Sequence, residues 1–531
     1  MPGLSIHTKK RIEEPILSKF PNYKHRQFST GEINISAIEY PKYSIKEIQN
    51  ARFSFYIEGC TYGITDIETI LNTIAEDYFS HHKTEKLKSF IENTDGEYII
   101  LCKNNATEDF FVFNDYLGRL PLYYYTSKNE FIISREISTI VKTYQLQTEI
   151  LSSVEFLLLG YPLGNKTLYQ SCFRLDSASL LDYSVQKKLI KTVQLINLDF
   201  SESNTDIKDT TEASIFLKEL FLKSVKARAQ EQNNIVLSLS GGLDSRAILS
   251  AFQHLNIPHH LSTYTYGTST DKDVEIAQQL ANTYQNKLSL VALNASNDYS
   301  DTLFQMKQGL NYLGMSFILE FLEKLQGNYN YYWTGDGGDK LLPDIRPLRS
   351  IFSIKDLRNY ILQTQQIYTP KTLSSIFPIS EKDIYHHLYQ HLDSYPEKNN
   401  ADKYKRFLLK ERASKWLFEG EDRNRYFMPS ITPFYAVPFY RFAMSIPDKL
   451  KSDFKLFRNF LNLLDPQMAK INNANWDLSI NQQKAISKLY RRQKIKSYLS
   501  TGINLYQVNT EEQKFHLDTL QMINSQTVKT N

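Results

Sequence analysis

Cysteine is scarce: three residues in 531, Cys60, Cys102 and Cys172, far apart and in no metal-ligand spacing. That excludes a disulfide framework and a cysteine-built metal site, and leaves three buried free thiols as the expectation. No apolar run approaches the roughly 18 residues a membrane span needs. The opening MPGLSIHTKKRIEEP lacks the apolar core of a secretion signal. A cytoplasmic protein with reduced thiols and no membrane partner is expected. Charge of one sign is also missing. A net +4 over this length gives no concentrated basic stripe, so nucleic acid is not an expected partner. No Gly-Lys-Ser/Thr loop ending occurs, which removes a Walker A site.

What is present is ordinary soluble composition, 41% hydrophobic and 23% charged, in a chain too long for one core. Two or three domains are expected. Residues 25 to 145 read as short strands such as Phe53-Ser54-Phe55-Tyr56-Ile57 and Tyr98-Ile99-Ile100-Leu101-Cys102, with helical spacing over 64–79. Residues 180–200 read as further strand pairs. The polar stretch SESNTDIKDTTE (201–212) places a domain boundary near 205, ahead of an amphipathic helix over 213–228. From Ile235 the pattern alternates strand and helix, with strands at 235–239, 260–266, 288–293 and 331–334 and a helix over 273–284. Such alternation predicts a parallel, doubly wound sheet. Beyond 350 the pattern is mostly helical. The tail, 493–531, is polar and expected to be loosely packed, and Arg491–Lys494 reads as a solvated helix face.

The strand Ile235-Val236-Leu237 runs into Ser238-Leu239-Ser240-Gly241-Gly242-Leu243-Asp244-Ser245, and a helical pattern follows. Two glycines let the backbone curl, and a helix then opens with free N–H groups and a positive dipole end. That is a phosphate site. Ser240 and Ser245 add hydroxyl donors. Asp244 is an anion where phosphate should sit, which a hard cation such as Mg²⁺ reconciles. The run SGGLDS matches the PP-loop of enzymes that split ATP between its α- and β-phosphates. Leu237, Ser238, Ser240, Gly241, Gly242, Leu243, Asp244 and Ser245 are the expected ATP and pyrophosphate contacts, joined by Tyr266 and Gly335.

A second aromatic strand, Tyr331-Tyr332-Trp333-Thr334, runs into Gly335-Asp336-Gly337-Gly338-Asp339. In open α/β sheets ligands gather at the carboxyl ends of strands, so both turns should share one edge. Asp244 and Asp339 could then share a Mg²⁺. Asp336 is the candidate general base or amine anchor.

The pair of motifs resembles the synthetase half of asparagine synthetase B, whose relatives include β-lactam synthetase and the lasso-peptide macrolactam cyclases. The family pattern SGGxDS followed by GE-G-G/S-D is met here with Asp336 in place of Glu. The N-terminal stretch Asp115-Tyr116-Leu117-Gly118-Arg119-Leu120-Pro121-Leu122-Tyr123-Tyr124 resembles the family's D-x-x-G-x-x-PLYY. Gly59, Gly96-Glu97-Tyr98 and Ser134-Arg135-Glu136-Ile137 fit its neighbours. The resemblance covers most of residues 25–470. It implies an α+β sandwich of the Ntn-hydrolase type over 1–205, a degenerate glutaminase-like domain. A PP-loop synthetase domain over 206–531 follows, with a mostly helical C-terminal part.

Two departures matter. A family glutaminase needs cysteine at position 2, where its thiolate attacks glutamine and its own amine acts as base. This sequence has Pro2, so glutamine hydrolysis is expected to be absent. The family's R-x-K-x-x-F lysine is also out of register. The matching stretch is Lys470-Ile471-Asn472-Asn473-Ala474-Asn475-Trp476, and Lys470 is the expected replacement, with Lys455 and Arg458 nearby.

The resemblance implies an AMP-forming C–N ligase or cyclase using ATP and Mg²⁺. A small-molecule or peptide carboxylate becomes an acyl-adenylate and an amine then attacks it. Natural product biosynthesis, and association with a biosynthetic partner protein, accompany that reading. Intramolecular attack needs no ammonia tunnel. Two alternatives stay open at this point: a nucleotide-binding protein without catalysis, and another PP-loop nucleotidyl enzyme such as a tRNA modifier.

Overall fold

The central strands of the N-terminal half are apolar on both faces, and that dictates layers above and below them. In Asp95–Asn104, Ile99 and Leu101 enter one core while Tyr98, Ile100 and Cys102 enter another. The computed structural model describes all residues except 9–11, 13–21, 30–31, 129, 202–205, 231, 266–270, 295–296, 500–509 and 529–531. Two six-stranded sheets face each other. One runs Cys172–Arg174, Tyr123–Thr126, Phe131–Ser134, Gly3–His7, Asn34–Glu39, Lys24–Ser29. The other runs Leu189–Gln194, Ser179–Ser184, Phe110–Asn114, Asp95–Asn104, Phe53–Tyr62, Lys46–Gln49. The pairings within each are antiparallel. Leu4, Ile6, Ile35, Ile99, Leu101 and Val112 fill the space between them.

Helices Ile67–His81 and Glu85–Asn93 cover the outer face of the second sheet through Leu71, Ile74, Phe90 and Ile91. On the outer face of the first sheet lie Ile137–Tyr144 and Ile150–Leu159. The sequence reading has neither. Ser152 through Leu159 are all buried, the polar Ser152, Ser153 and Glu155 included, so the second helix shows no solvent-facing polar stripe to betray its period. The same core continues into the C-terminal half through Leu303, Phe304, Leu319 and Phe321.

After the helix Thr210–Ala229, capped by the Asp209 carboxylate on the Thr211 N–H at 3.0 Å, five strands form a parallel sheet. Their order is Leu288–Ala292, His260–Thr265, Ile235–Ser238, Tyr331–Trp333, Ser430–Ile431. The first four match the reading from sequence; the last, two residues long, is an addition. Chain progression reverses direction between Ile235–Ser238 and Tyr331–Trp333, and at such a reversal the strand ends open a crevice. Ala247, Ile248, Leu249, Ala251 and Phe252 of the helix Leu243–His254 are fully buried against this sheet, so the loop ahead of that helix stands on a rigid base.

The tail differs from expectation. The helix Thr510–Val528 buries His516, Thr519, Leu520 and Ile523, whose spacing marks one face packed on the core. Arg491–Lys494 is exposed, as read. Among the described residues no helix is long and apolar enough to cross a membrane.

Candidate active site

Both motif turns emerge at the carboxyl edge of the parallel sheet, from adjacent strands paired Ile235 to Tyr331 and Leu237 to Trp333. They touch. The Asp339 N–H donates to Asp244 Oδ2 at 2.9 Å. A Cβ at position 338 would lie 2.5 Å from Asp244 Oδ1, and one at 335 would lie 2.6 Å from the Ser245 nitrogen. The glycines of the second turn are therefore what allows the two acidic turns to meet.

Around the first turn, the Ser240 N–H donates to Ser245 Oγ at 3.1 Å and the two hydroxyls lie 3.0 Å apart. The Gly242 N–H donates to Ser240 Oγ at 3.2 Å. The helix Leu243–His254 has no side-chain cap at Gly242. Its first N–H groups, on Leu243, Asp244 and Ser245, have no intrahelical acceptor and point out of the helix end. Leu237 is buried beneath, a packing residue here, and Ser238 is half-buried at the strand end. Tyr266 lies outside the described residues.

Negative charge is in excess. Asp339 is paired with Lys340. Burial and the neighbouring Asp339 push the Asp244 carboxyl well above its ordinary range. Asp336, held by the Thr334 hydroxyl at 2.9 Å, is pushed up to about 6 by desolvation and by Glu421. Thr432 fixes the same turn by donating to the Asp336 carbonyl at 2.7 Å. Three carboxylates thus face one lysine. No cluster of three metal-type side chains meets ligand geometry among the described residues. The donor set that remains, two carboxylate oxygens beside a phosphate-type loop, fits a hard cation sharing its shell with phosphate oxygens.

Sequence reasoning missed two residues here. Arg246, fully buried, donates to the carbonyls of Gly241, Gly242, Met468, Ile471 and Asn472 at 2.8–3.0 Å. It binds the loop to the chain after the Pro466–Lys470 helix. Asp273 accepts from the Gly241 N–H at 2.9 Å. Arg246 directly follows the motif and was within reach of a closer reading; Asp273 carried no local signal.

From the C-terminal stretch, the backbone of Ala474 reaches the loop, donating to the Gly241 carbonyl at 3.2 Å. Lys470 and Lys455 are exposed, and Arg458 donates to Gln483 at 2.6 Å. The structure brings Asp244, Asp336 and Asp339 together and leaves the Lys470 side chain in solvent.

The comparisons with known proteins agree with this pair of halves. Residues 217–342 match the family model described as asparagine synthase, and residues 48–193 match that of a glutamine amidotransferase domain. The two matches together support an asparagine synthetase-like family for this chain. One relative, named "Putative asparagine synthetase (glutamine-hydrolyzing) 2", from Methanocaldococcus jannaschii, is 27% identical over 161 residues. The match covers 30% of this chain and 31% of that one, so the chain spans about a third of this asparagine synthetase-like relative. A glutamine phosphoribosylpyrophosphate amidotransferase from B. subtilis aligns at 11% identity and a TM-score of 0.21, over 70% of this chain and 81% of that one. NMN synthetase from Francisella tularensis aligns at 12% and 0.20, over 39% and 94%. Scores this low carry no argument, and the fold rests on the strand order above.

Proposed function

We propose that this protein is an ATP-dependent, amide-forming ligase that activates a substrate carboxylate as an acyl-adenylate and joins it to an amine without hydrolysing glutamine. The observation that carries the reading is the contact between the SGGLDS and GDGGD turns, where the Asp339 N–H donates to the Asp244 carboxylate. The uncapped helix end and the Ser240 and Ser245 hydroxyls hold the departing pyrophosphate. Asp244 and Asp339 would hold Mg²⁺, which when bound offsets phosphate charge. The carboxylate oxygen attacks the α-phosphorus, and the α–β bond breaks to release pyrophosphate. The amine then attacks the acyl carbon and AMP leaves. Asp336 orients that amine or takes its proton, a role suited to a carboxyl pushed up to about 6.

Several observations support the absence of glutamine hydrolysis. At the end of the sandwich beside Leu4, Glu58 accepts from the Leu4 N–H at 2.9 Å, from Tyr43 at 2.6 Å and from Arg135 at 2.7 Å. Arg135 also pairs with Asp422, and Lys307 reaches Asp422 at 2.6 Å. Ionic side chains occupy this space. Cys102 and Cys172 are buried as expected, whereas Cys60 is exposed; the protein packed around its sulfur, with Glu97, still lifts that thiol to about 11, the wrong direction for a nucleophile.

The test is pyrophosphate release from Mg-ATP with a panel of carboxylates, with and without amines, alongside glutamate release from glutamine. Carboxylate-dependent pyrophosphate with no glutamate is expected. Glutamate above a heat-killed control would sink the glutamine-independent part. A second reading, nucleotide binding without catalysis, draws on the solvent position of Lys470 and Lys455. ATP binding with no pyrophosphate release from any carboxylate would favour it.

A further inference from the structure

Buried arginines in this protein have strong acceptors. Arg119, Arg135, Arg174, Arg228, Arg406 and Arg425 each pair with a carboxylate, and Arg246 has five backbone carbonyls. Arg423, 6% exposed, is different. Its acceptors are two neutral amides: Asn311 Oδ1, 3.1 Å from one terminal nitrogen, and Asn424 Oδ1, 3.0 Å from the other and 3.3 Å from Nε. No carboxylate among the described residues lies within ion-pair distance. A guanidinium has five N–H groups, so each terminal nitrogen keeps one donor beyond these bonds. Two parallel donors on adjacent nitrogens match a carboxylate. Desolvation pulls the Arg423 pKa down to about 10, with Tyr332, Asp336 and Tyr264 as its electrostatic neighbours. Those three stand at the carboxyl ends of the His260–Thr265 and Tyr331–Trp333 strands and in the GDGGD turn. Tyr264 and Asp336 are half-buried, so the crevice opens on that side. Asn311 is itself 6% exposed, and Asn424 is fixed by donating to Ser430 Oγ at 3.2 Å. The fork is thus held rigidly, and Asp336 acts on it only from beyond ion-pair distance.

We infer that Arg423, oriented by Asn311 and Asn424, is the anchor for a carboxylate of the substrate in the crevice beside Asp336. Only the identity of this anion as the substrate rests on the ligase reading; the anion site itself stands on the geometry. Phosphate is recognised by the loop on the other turn, so carboxylate is the class expected here.

Full-length wild type and Arg423→Met are titrated with acetate, succinate and inorganic phosphate at constant ionic strength, and separately with Mg²⁺ and α,β-methylene ATP. Wild type should bind at least one of the carboxylates and be stabilised against heat by it. Arg423→Met should lose carboxylate affinity by about tenfold or more, with affinity for the nucleotide analogue changed less than about twofold, and Arg423→Lys should fall between because it keeps charge and loses the fork. Unliganded Arg423→Met should melt close to wild type, because losing the hydrogen bonds to Asn311 and Asn424 offsets the gain from removing a buried cation that has no ion pair. No carboxylate binding by wild type overturns the inference. So does protection by phosphate alone, a loss of nucleotide affinity in Arg423→Met, or a fall in melting temperature as large as that of Arg135→Met. Arg423-dependent carboxylate binding in a protein that releases no pyrophosphate would sink the ligase reading and leave this site standing.

Discussion

Two ends of this molecule treat charge in opposite ways. At the sandwich end, Arg119 pairs with Glu97 and Glu421, Arg135 with Glu58 and Asp422, and Lys307 with Glu419 and Asp422, all buried. At the carboxyl edge of the parallel sheet, Asp244, Asp336 and Asp339 face one lysine, and Arg423 has neutral partners. Burying a charge is costly unless it is paired. Where every charge is matched, the arrangement serves the fold. Where charge of both signs is left over at a strand-end crevice, it awaits a ligand.

The largest effect expected from breaking this contrast is at the paired end. Arg135→Met leaves Glu58 and Asp422 buried without their cation and should cost about 3–5 kcal/mol, measured by denaturant unfolding. A loss below 1 kcal/mol would mean the pairing is not what holds the two halves. Asp422 gives the same network a pH signature. Burial opposes its ionisation, yet Arg135 and Lys307 hold its carboxyl down to about 2. A carboxyl depressed below its unfolded value near 4 adds stability above that pH and loses it as pH falls toward the folded value. Asp422→Asn should therefore lower stability at neutral pH and flatten the acid limb between about pH 4 and pH 2; an unchanged limb refutes the assignment.

At the unpaired end the effects belong to turnover. Asp336→Asn should spare ATP–pyrophosphate exchange and slow amide formation by roughly a hundredfold, the usual weight of a general base. A parallel fall of both activities would make Asp336 a shaping residue of its turn. Asp244→Asn and Asp339→Asn each remove one hard oxygen ligand and should weaken Mg-ATP binding or pyrophosphate release by about tenfold, or 1.4 kcal/mol. Wild-type turnover in both variants would remove the metal assignment. The smallest expected change is in Lys470→Ala. An exposed side chain typically carries under about 0.5 kcal/mol, so pyrophosphate release should hold within about twofold. A tenfold loss would return Lys470 to the reaction.

Much of this was legible because its signal is local. Two of the five parallel strands, Ile235–Ser238 and Tyr331–Trp333, announce themselves by apolar runs ending in the acidic glycine turns, and two more by the strand–helix alternation around them. The Ile150–Leu159 helix was hidden because even its polar residues, Ser152, Ser153 and Glu155, are buried, and period cannot be read without a solvent-facing polar stripe. Ser430–Ile431 is too short to carry any pattern. The tail misled because four buried positions, His516, Thr519, Leu520 and Ile523, suffice to dock an otherwise polar helix. The pairing of Arg119 with Glu421 spans 302 residues and has no local trace. Arg423 was beyond reach for another reason: what marks it is a partner it lacks, and only a structure reveals that.

The helix Ser414–Asn424 supplies Glu419, Glu421 and Asp422 to the sandwich and ends at Asn424, beside Arg423. This has a consequence for synthesis on the ribosome. Arg119 and Arg135 emerge some 300 residues before the acids at 421 and 422 that complete their pairing. Until those acids arrive, the sandwich must hold two arginines with part of their counter-charge missing, so its final closure waits for the far end of the chain. The first half of the protein is thus made early and finished late.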